Sequence, residues 1–244
     1  MGGTVKLPAR IKWKHVGRLY ETLAPYLKAS PVTRDIPERG RALVLSPHID
    51  DDVIGAGGTL RKHVLSGDNV KVVYFADCTP ERIKEAGEAA KIIGISDLEF
   101  LGYESKKLLE YRDLSGRLSS IIEDFRPDIV YLPSPFDRHN DHLSVNHLLA
   151  ELHKKYRYGL TVCAYEVWTT LVPNLIMDIT DVVEDKRKAL SMYKSQLSSN
   201  NWSDAALSLN RYRGVTSGAG RHAEGFMRHS MKEYCRIWEA VYGR

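Results

Sequence analysis

SPHIDDDVIGAGG, residues 46–58, follows directly on the apolar run RALVL at 41–45. The apolar run has the length of a buried strand. The stretch VIGAGGTLRKHVLSG (53–67) has the periodicity of a helix closed by Gly67. Between them sit a histidine and three consecutive aspartates, His48 and Asp50 to Asp52. Adjacent carboxylates repel one another, so a chain that only had to turn would use Gly, Asn or Ser at lower cost. A strand, a charged turn and a helix in this order predict the first unit of a parallel sheet with something bound at its edge.

The same alternation runs outward from this unit. VKVVYFA (70–76) predicts a strand, and PERIKEAGEAAKIIG (80–94) a helix with Pro80 at its start and Gly94 at its end. LEFLG (98–102) predicts a strand, LSGRLSSIIEDF (114–125) a helix and DIVYLPS (128–134) a strand. A helix over 141–156 and a strand over 160–168 follow, and the segments 182–197, 203–213 and 226–242 all read as helical. Upstream, IKWKHVGRLYETLAPYL (11–27) predicts one amphipathic helix, so residues 1–40 are expected to be a helical extension outside a domain spanning 41–244. Apolar strands separated by helices predict a Rossmann-like α/β fold in three layers, with a mostly parallel sheet covered on both faces. Ligands in such folds gather outside the carboxyl ends of the strands. The cluster RHNDH (138–142) closely follows the strand at 128–133, so it is expected at the same edge as HIDDD.

Composition narrows the partners. The net charge of +4 is spread over scattered Lys and Arg, which predicts no nucleic-acid partner. No apolar run approaches the length of a membrane span. Three cysteines, Cys78, Cys163 and Cys235, form no CxxC pair and predict a reducing compartment. The N-terminal MGGTVKLPAR lacks the apolar stretch of a signal peptide, so the expected location is the cytoplasm. Tryptophans and tyrosines are dispersed along the chain and read as packing residues.

The two polar clusters are complementary. As the chain leaves the strand and enters a helix, residues three apart begin to share a face, so His48 and Asp51 can converge while Asp50 projects beside them. The bland alternative for HIDDD is an N-cap aspartate with solvated neighbours. The second cluster, His139, Asp141 and His142, repeats the device at another helix start. Two histidines and an aspartate drawn from two strand ends are the donor set of a catalytic zinc site with one position left open, and a spare carboxylate can serve as base. GAGG at 55–58 does not complete GxGxxG, and the acids ahead of it would repel a pyrophosphate. No GxSxG elbow is present.

On these motifs the sequence resembles the LmbE/PIG-L-like zinc-dependent de-N-acetylases. HIDDD followed by GAGG is similar to that family's first signature, and HNDH to its second. RIKEAGEAAKIIGI (82–95), YEVW (165–168), DKRKALSMYKSQL (185–197) and AEGF (223–226) are further similar stretches. The resemblance covers roughly residues 41–230. Ile49 and Asn140 stand where the family has prolines, and Asp52 where it has glutamate. The family's acidic sugar contact after its third strand is replaced here by the choice of Glu104 or Ser105 in GYESKKL.

The resemblance implies hydrolysis of the N-acetyl group of an N-acetylglucosamine-type amino sugar or conjugate, with Zn(2+) or another divalent ion. It implies His48, Asp51 and His142 as metal ligands and Asp50 as general base and acid. It further implies His139 as the oxyanion partner tuned by Asp141, and Arg82 as a substrate-binding residue. A homo-oligomer is compatible with the resemblance. The alternatives are a metal-dependent hydrolase of another amide or ester, and a silent metal- or sugar-binding domain.

Overall fold

The structure, a computed structural model, describes residues 31–197 and 201–243. Strands β1 (Val32–Arg34), β2 (Ala42–Ser46), β3 (Val70–Ala76), β4 (Asp97–Tyr103), β5 (Ile129–Pro133), β6 (Thr161–Tyr165), β7 (Leu175–Asp178) and β8 (Ala223–Ser230) form one sheet. Their spatial order is β1-β7-β8-β6-β5-β2-β3-β4. Neighbours pair in parallel except at β8, which runs against both β6 and β7.

Helices α1 (Asp51–Leu65), α2 (Pro80–Ile93), α5 (Val183–Leu190) and α7 (Trp202–Ser217) cover one face. Helices α3 (Leu114–Phe125), α4 (Asn140–Tyr156) and α8 (Met231–Tyr242) cover the other. The short α6 (Lys194–Leu197) follows α5. In β2, Ala42 and Val44 join the first core and Leu43 and Leu45 the second, which is why this strand reads as an unbroken apolar run. The expected three-layer α/β fold with its mostly parallel sheet is what the chain forms.

Three expectations shift. Residues 223–230, whose larger part local periodicity assigns to a C-terminal helix, form β8, and the helix begins only at Met231 behind a Ser230–Glu233 capping box. The helical reading of 182–197 resolves into α5 and α6, and β7 is an additional strand. Val32–Arg34, within the segment expected outside the domain, adds the edge strand β1 on β7. The helix expected at 11–27 lies outside the described residues.

β2 lies between β5 and β3, so the chain leaves the sheet's centre in both directions and a crevice opens at the carboxyl ends of β2 and β5. GAGG lets α1 lie close beneath that crevice. A Cβ at Gly55 would fall 2.1 Å from the Tyr165 ring, and one at Gly58 2.6 Å from Ile179. These glycines serve packing. The buried pair Lys186–Glu224 then fastens α1. Lys186 donates to Ile54 O at 2.9 Å, while Gly58 N and Thr59 N each donate to the Glu224 carboxylate at 2.8 Å. DKRKAL and AEGF, distant in sequence, thus meet in one ion pair of 2.6 Å.

Candidate metal centre and active site

The turn after β2 is held by Ser46, whose hydroxyl donates to His48 O at 2.7 Å and accepts from Asp52 N at 3.1 Å. Ile49 is buried in the core, while His48 faces Asp51 and Asp50 lies close enough to both to feel their charge. Asp50 occupies the N-cap position of α1, yet its side chain makes no capping hydrogen bond. The carboxylate is therefore left for another task. Asp52 turns inward and accepts from Tyr74 OH at 3.0 Å, which makes it a packing residue of the turn.

After β5, Asp137 and Asn146 shape the second turn. Asp137 Oδ1 accepts from His139 N at 3.1 Å, and its Oδ2 accepts from Trp168 N at 3.0 Å. Asn146, one turn beyond His142 in α4, donates to Pro133 O at 3.0 Å and His142 O at 2.7 Å, and accepts from Tyr234 OH. His142 is thereby fixed against the end of β5.

The two turns meet at one point. Asp51 Oδ2 stands 3.1 Å from His48 Nδ1 and 3.1 Å from His142 Nε2, and the two ring nitrogens are 3.4 Å apart. Donors bound tetrahedrally to zinc at about 2.0–2.1 Å are separated by about 3.3–3.4 Å, so the triangle fits a divalent ion of that size. A wider set of ring nitrogens, from His48, His139 and His142, lies within 4.8 Å and could also hold a metal. The triangle that includes Asp51 is the tighter, and His139 Nδ1 already accepts from Asp141 N at 3.3 Å.

Both histidines of the triangle are backed by carboxylates. His48 Nε2 is 3.0 Å from Asp141 Oδ2, and Asp141 is itself held by Ser105 Oγ and Lys106 N, each at 2.7 Å. Asp141 was expected beside His139. Its carboxylate lies 3.9 Å from His139 Nδ1 and bonds His48 instead. His142 Nδ1 is 3.2 Å from Asp137 Oδ2, close enough for an ion pair but outside hydrogen-bond alignment. Asp137 was not singled out in the sequence. The only available signal was a carboxylate two residues ahead of the HNDH cluster.

The electrostatics describe a pocket built for positive charge. Burial alone would lower His48, but Asp51 and Asp141 carry it up to about 10. His142 likewise rises to about 9, against burial, through Asp51 and Asp137. Burial favours protonated Asp51, yet His142 and His48 hold it far below the usual carboxylate range. The carboxylates around the two rings thus favour positive charge at this point, which a bound cation would supply. Asp50 behaves differently: burial and the Asp51 charge push it up to about 7, against the pull of His48 and Arg82. Burial and its two histidine neighbours lower His139, which keeps it neutral.

Arg82, in the first turn of α2, reaches Asp77 Oδ2 at 3.4 Å and lies close enough to Asp50 to act on its charge. Of the two residues considered after β4, Ser105 is engaged with Asp141 and Glu104 pairs with Lys107 at 2.6 Å on the surface. Trp168 and Trp202, distant in sequence, come together 4.6 Å apart, and Trp168 stacks on His139. All three cysteines are free. Among the described residues no helix is long and apolar enough to cross a membrane.

Known proteins resemble this chain in sequence and in fold. Residues 43–153 match the family described as GlcNAc-PI de-N-acetylase, PIG-L. The diacetylchitobiose deacetylase of Thermococcus kodakarensis is 28% identical, over 76% of this chain and 81% of its own length. A probable N-acetyl-alpha-D-glucosaminyl L-malate deacetylase 2 of Bacillus cereus is 29% identical, over 63% of this chain and 82% of its own. Among solved structures, the conserved protein TT1542 of Thermus thermophilus superposes with a TM-score of 0.68 at 27% identity. That match covers 76% of this chain and 92% of the other.

Proposed function

We propose, from the match of residues 43–153 to the PIG-L de-N-acetylase family, that this chain is a metal-dependent amidohydrolase. It removes the acetyl group from the nitrogen of an N-acetylglucosamine-type amino sugar or its conjugate, giving acetate and the free amine. The observation that carries this reading is the triangle of His48, Asp51 and His142 with the uncapped carboxylate of Asp50 beside it. The two relatives support the substrate class, since both are named as deacetylases of N-acetylated sugars.

We assign His48 Nδ1, Asp51 Oδ2 and His142 Nε2 as ligands of Zn(2+), whose preferred donors and spacing they match. Asp141 and Asp137 orient the two imidazoles from behind and keep their inner nitrogens turned to the metal. When bound, such an ion polarises the amide carbonyl and lowers the pKa of a water to about 7.

Asp50 is the base. Its carboxylate takes a proton from the attacking water as the C–O bond forms at the carbonyl carbon, and then delivers that proton to the nitrogen as the C–N bond breaks. His139 meets the oxygen that becomes negative. Its Nδ1 accepts from Asp141 N, so the neutral ring carries its proton on Nε2 and can donate it to the oxyanion. Asp141 thus acts on His139 through its backbone and on His48 through its carboxylate. Arg82, beside Asp50, contacts the substrate on the approach side.

A silent binding domain would need the triangle alone, and Asp50 and His139 would then have no task. The test is amine release from a panel of N-acetylglucosamine conjugates, with metal content measured on the same preparation. Release with one or more of them is expected; a fully metal-loaded protein that releases amine from none would overturn the reading.

A further inference from the structure

Trp168 is 51% exposed, yet the loop that carries it is firmly built. Glu166, two residues earlier, is gripped by the Arg213 guanidinium and accepts from Leu171 N at 2.8 Å. Trp168 N donates to the same Asp137 carboxylate that lies against His142. The indole stacks on His139 at 6.0 Å with only 25° between the planes, and Trp202 buttresses it edge-on at 4.6 Å. An aromatic ring half open to water keeps apolar surface whose burial by a ligand would be favourable. Here the ring is preorganised, and it continues the His139 wall outward from the triangle.

We propose that Trp168 is the platform on which the pyranose ring of the substrate lies. This rests on the amino-sugar reading above. In an N-acetylated amino sugar only the amide nitrogen separates the ring from the carbonyl carbon. A substrate whose acetyl group sits over the triangle, its nitrogen towards Asp50 and its oxygen towards His139, carries its ring within reach of the wall that adjoins His139. The apolar C–H face of a pyranose matches the indole face in size and character. Its hydroxyl edge stays directed to water and to polar groups. Because the Asp137 carboxylate holds His142, His139 and Trp168 together, platform and chemistry stay in register.

The experiment compares wild type, Trp168→Ala and Trp168→Phe by amine release from N-acetylglucosamine conjugates, with bound metal measured on each. Trp168→Ala should raise KM about tenfold or more while kcat stays within about threefold and metal content is unchanged, and Trp168→Phe should recover most of the loss. An unchanged KM overturns the platform and leaves deacetylation standing. A fall in kcat or metal content at constant KM also overturns it, since Trp168 would then merely support His139 or Asp137. If wild type releases no amine from any conjugate, the deacetylase reading fails. The platform is then judged by tryptophan fluorescence: N-acetylglucosamine must quench wild type and not Trp168→Ala, and equal or absent quenching overturns it.

Discussion

Asp51 Oδ2 stands 3.1 Å from His142 Nε2, joining the helix that starts after β2 to the helix that starts after β5. One carboxylate oxygen thereby closes the crevice between two halves of the sheet and completes a three-donor site with His48.

Removing any corner of that triangle should empty it. His48→Ala, Asp51→Ala and His142→Ala are each expected to retain far less than one equivalent of zinc after dialysis, because a three-donor site has no spare ligand. Metal content by mass spectrometry checks this. Full occupancy in all three variants would show that the metal sits elsewhere.

Asp141→Asn and Asp137→Asn keep the triangle but loosen the imidazoles behind it. Loss of such an orienting carboxylate typically costs about 10–100-fold in metal affinity. Competition against a chelator of known affinity should show both variants weakened, with Asp141→Asn left a single acceptor oxygen for Ser105, Lys106 and His48, which now share two.

The Lys186–Glu224 pair predicts a stability effect away from the chemistry. Lys186→Met leaves Glu224 buried without its cation, which costs roughly 3–5 kcal/mol. At about 2–4 °C per kcal/mol for a chain of this size, Tm should fall by roughly 6–20 °C. Lys91→Met, which removes an exposed partner of Glu88, should shift stability by less than about 1 kcal/mol. Thermal melts of the two variants compare them directly.

Much of this site could be read from the chain because both clusters immediately follow strands whose apolar runs are unmistakable. Strand ends in a parallel sheet share one edge, so the spacing of HIDDD and HNDH already implied their meeting. What could not be read depends on contacts distant in sequence. AEGFMRHS has no β-branched residue and runs into a good helix, so local propensity concealed a strand that tertiary packing imposes between β6 and β7. The Asp141 carboxylate is near His139 in sequence, but folding turns it towards His48. Trp168 and Trp202 looked dispersed, and only the packing of α7 beside the loop after β6 brings them together.

The pH profile should carry the signature of Asp50. Its carboxyl is raised to about 7 by burial and Asp51, and only the deprotonated form can accept a proton from water. Activity should therefore rise as pH climbs through that pKa and be lost below it. A bound cation adds positive charge beside Asp50, so the midpoint of the acidic limb should fall at or below about 7. A pH series of kcat/KM checks this, and an acidic limb well above 7 would contradict it.

The most direct test of the central claim compares the neighbours in HIDDD. Asp50→Asn should bind a full equivalent of metal yet lose about 10²–10⁴-fold in kcat, since it removes the base and leaves the ligands intact. Asp52→Asn should bind metal and turn over substrate nearly as wild type, because an amide oxygen can still accept from Tyr74 OH. An Asp50→Asn enzyme with near-normal kcat, beside a metal-loaded but inactive Asp52→Asn, would contradict the account.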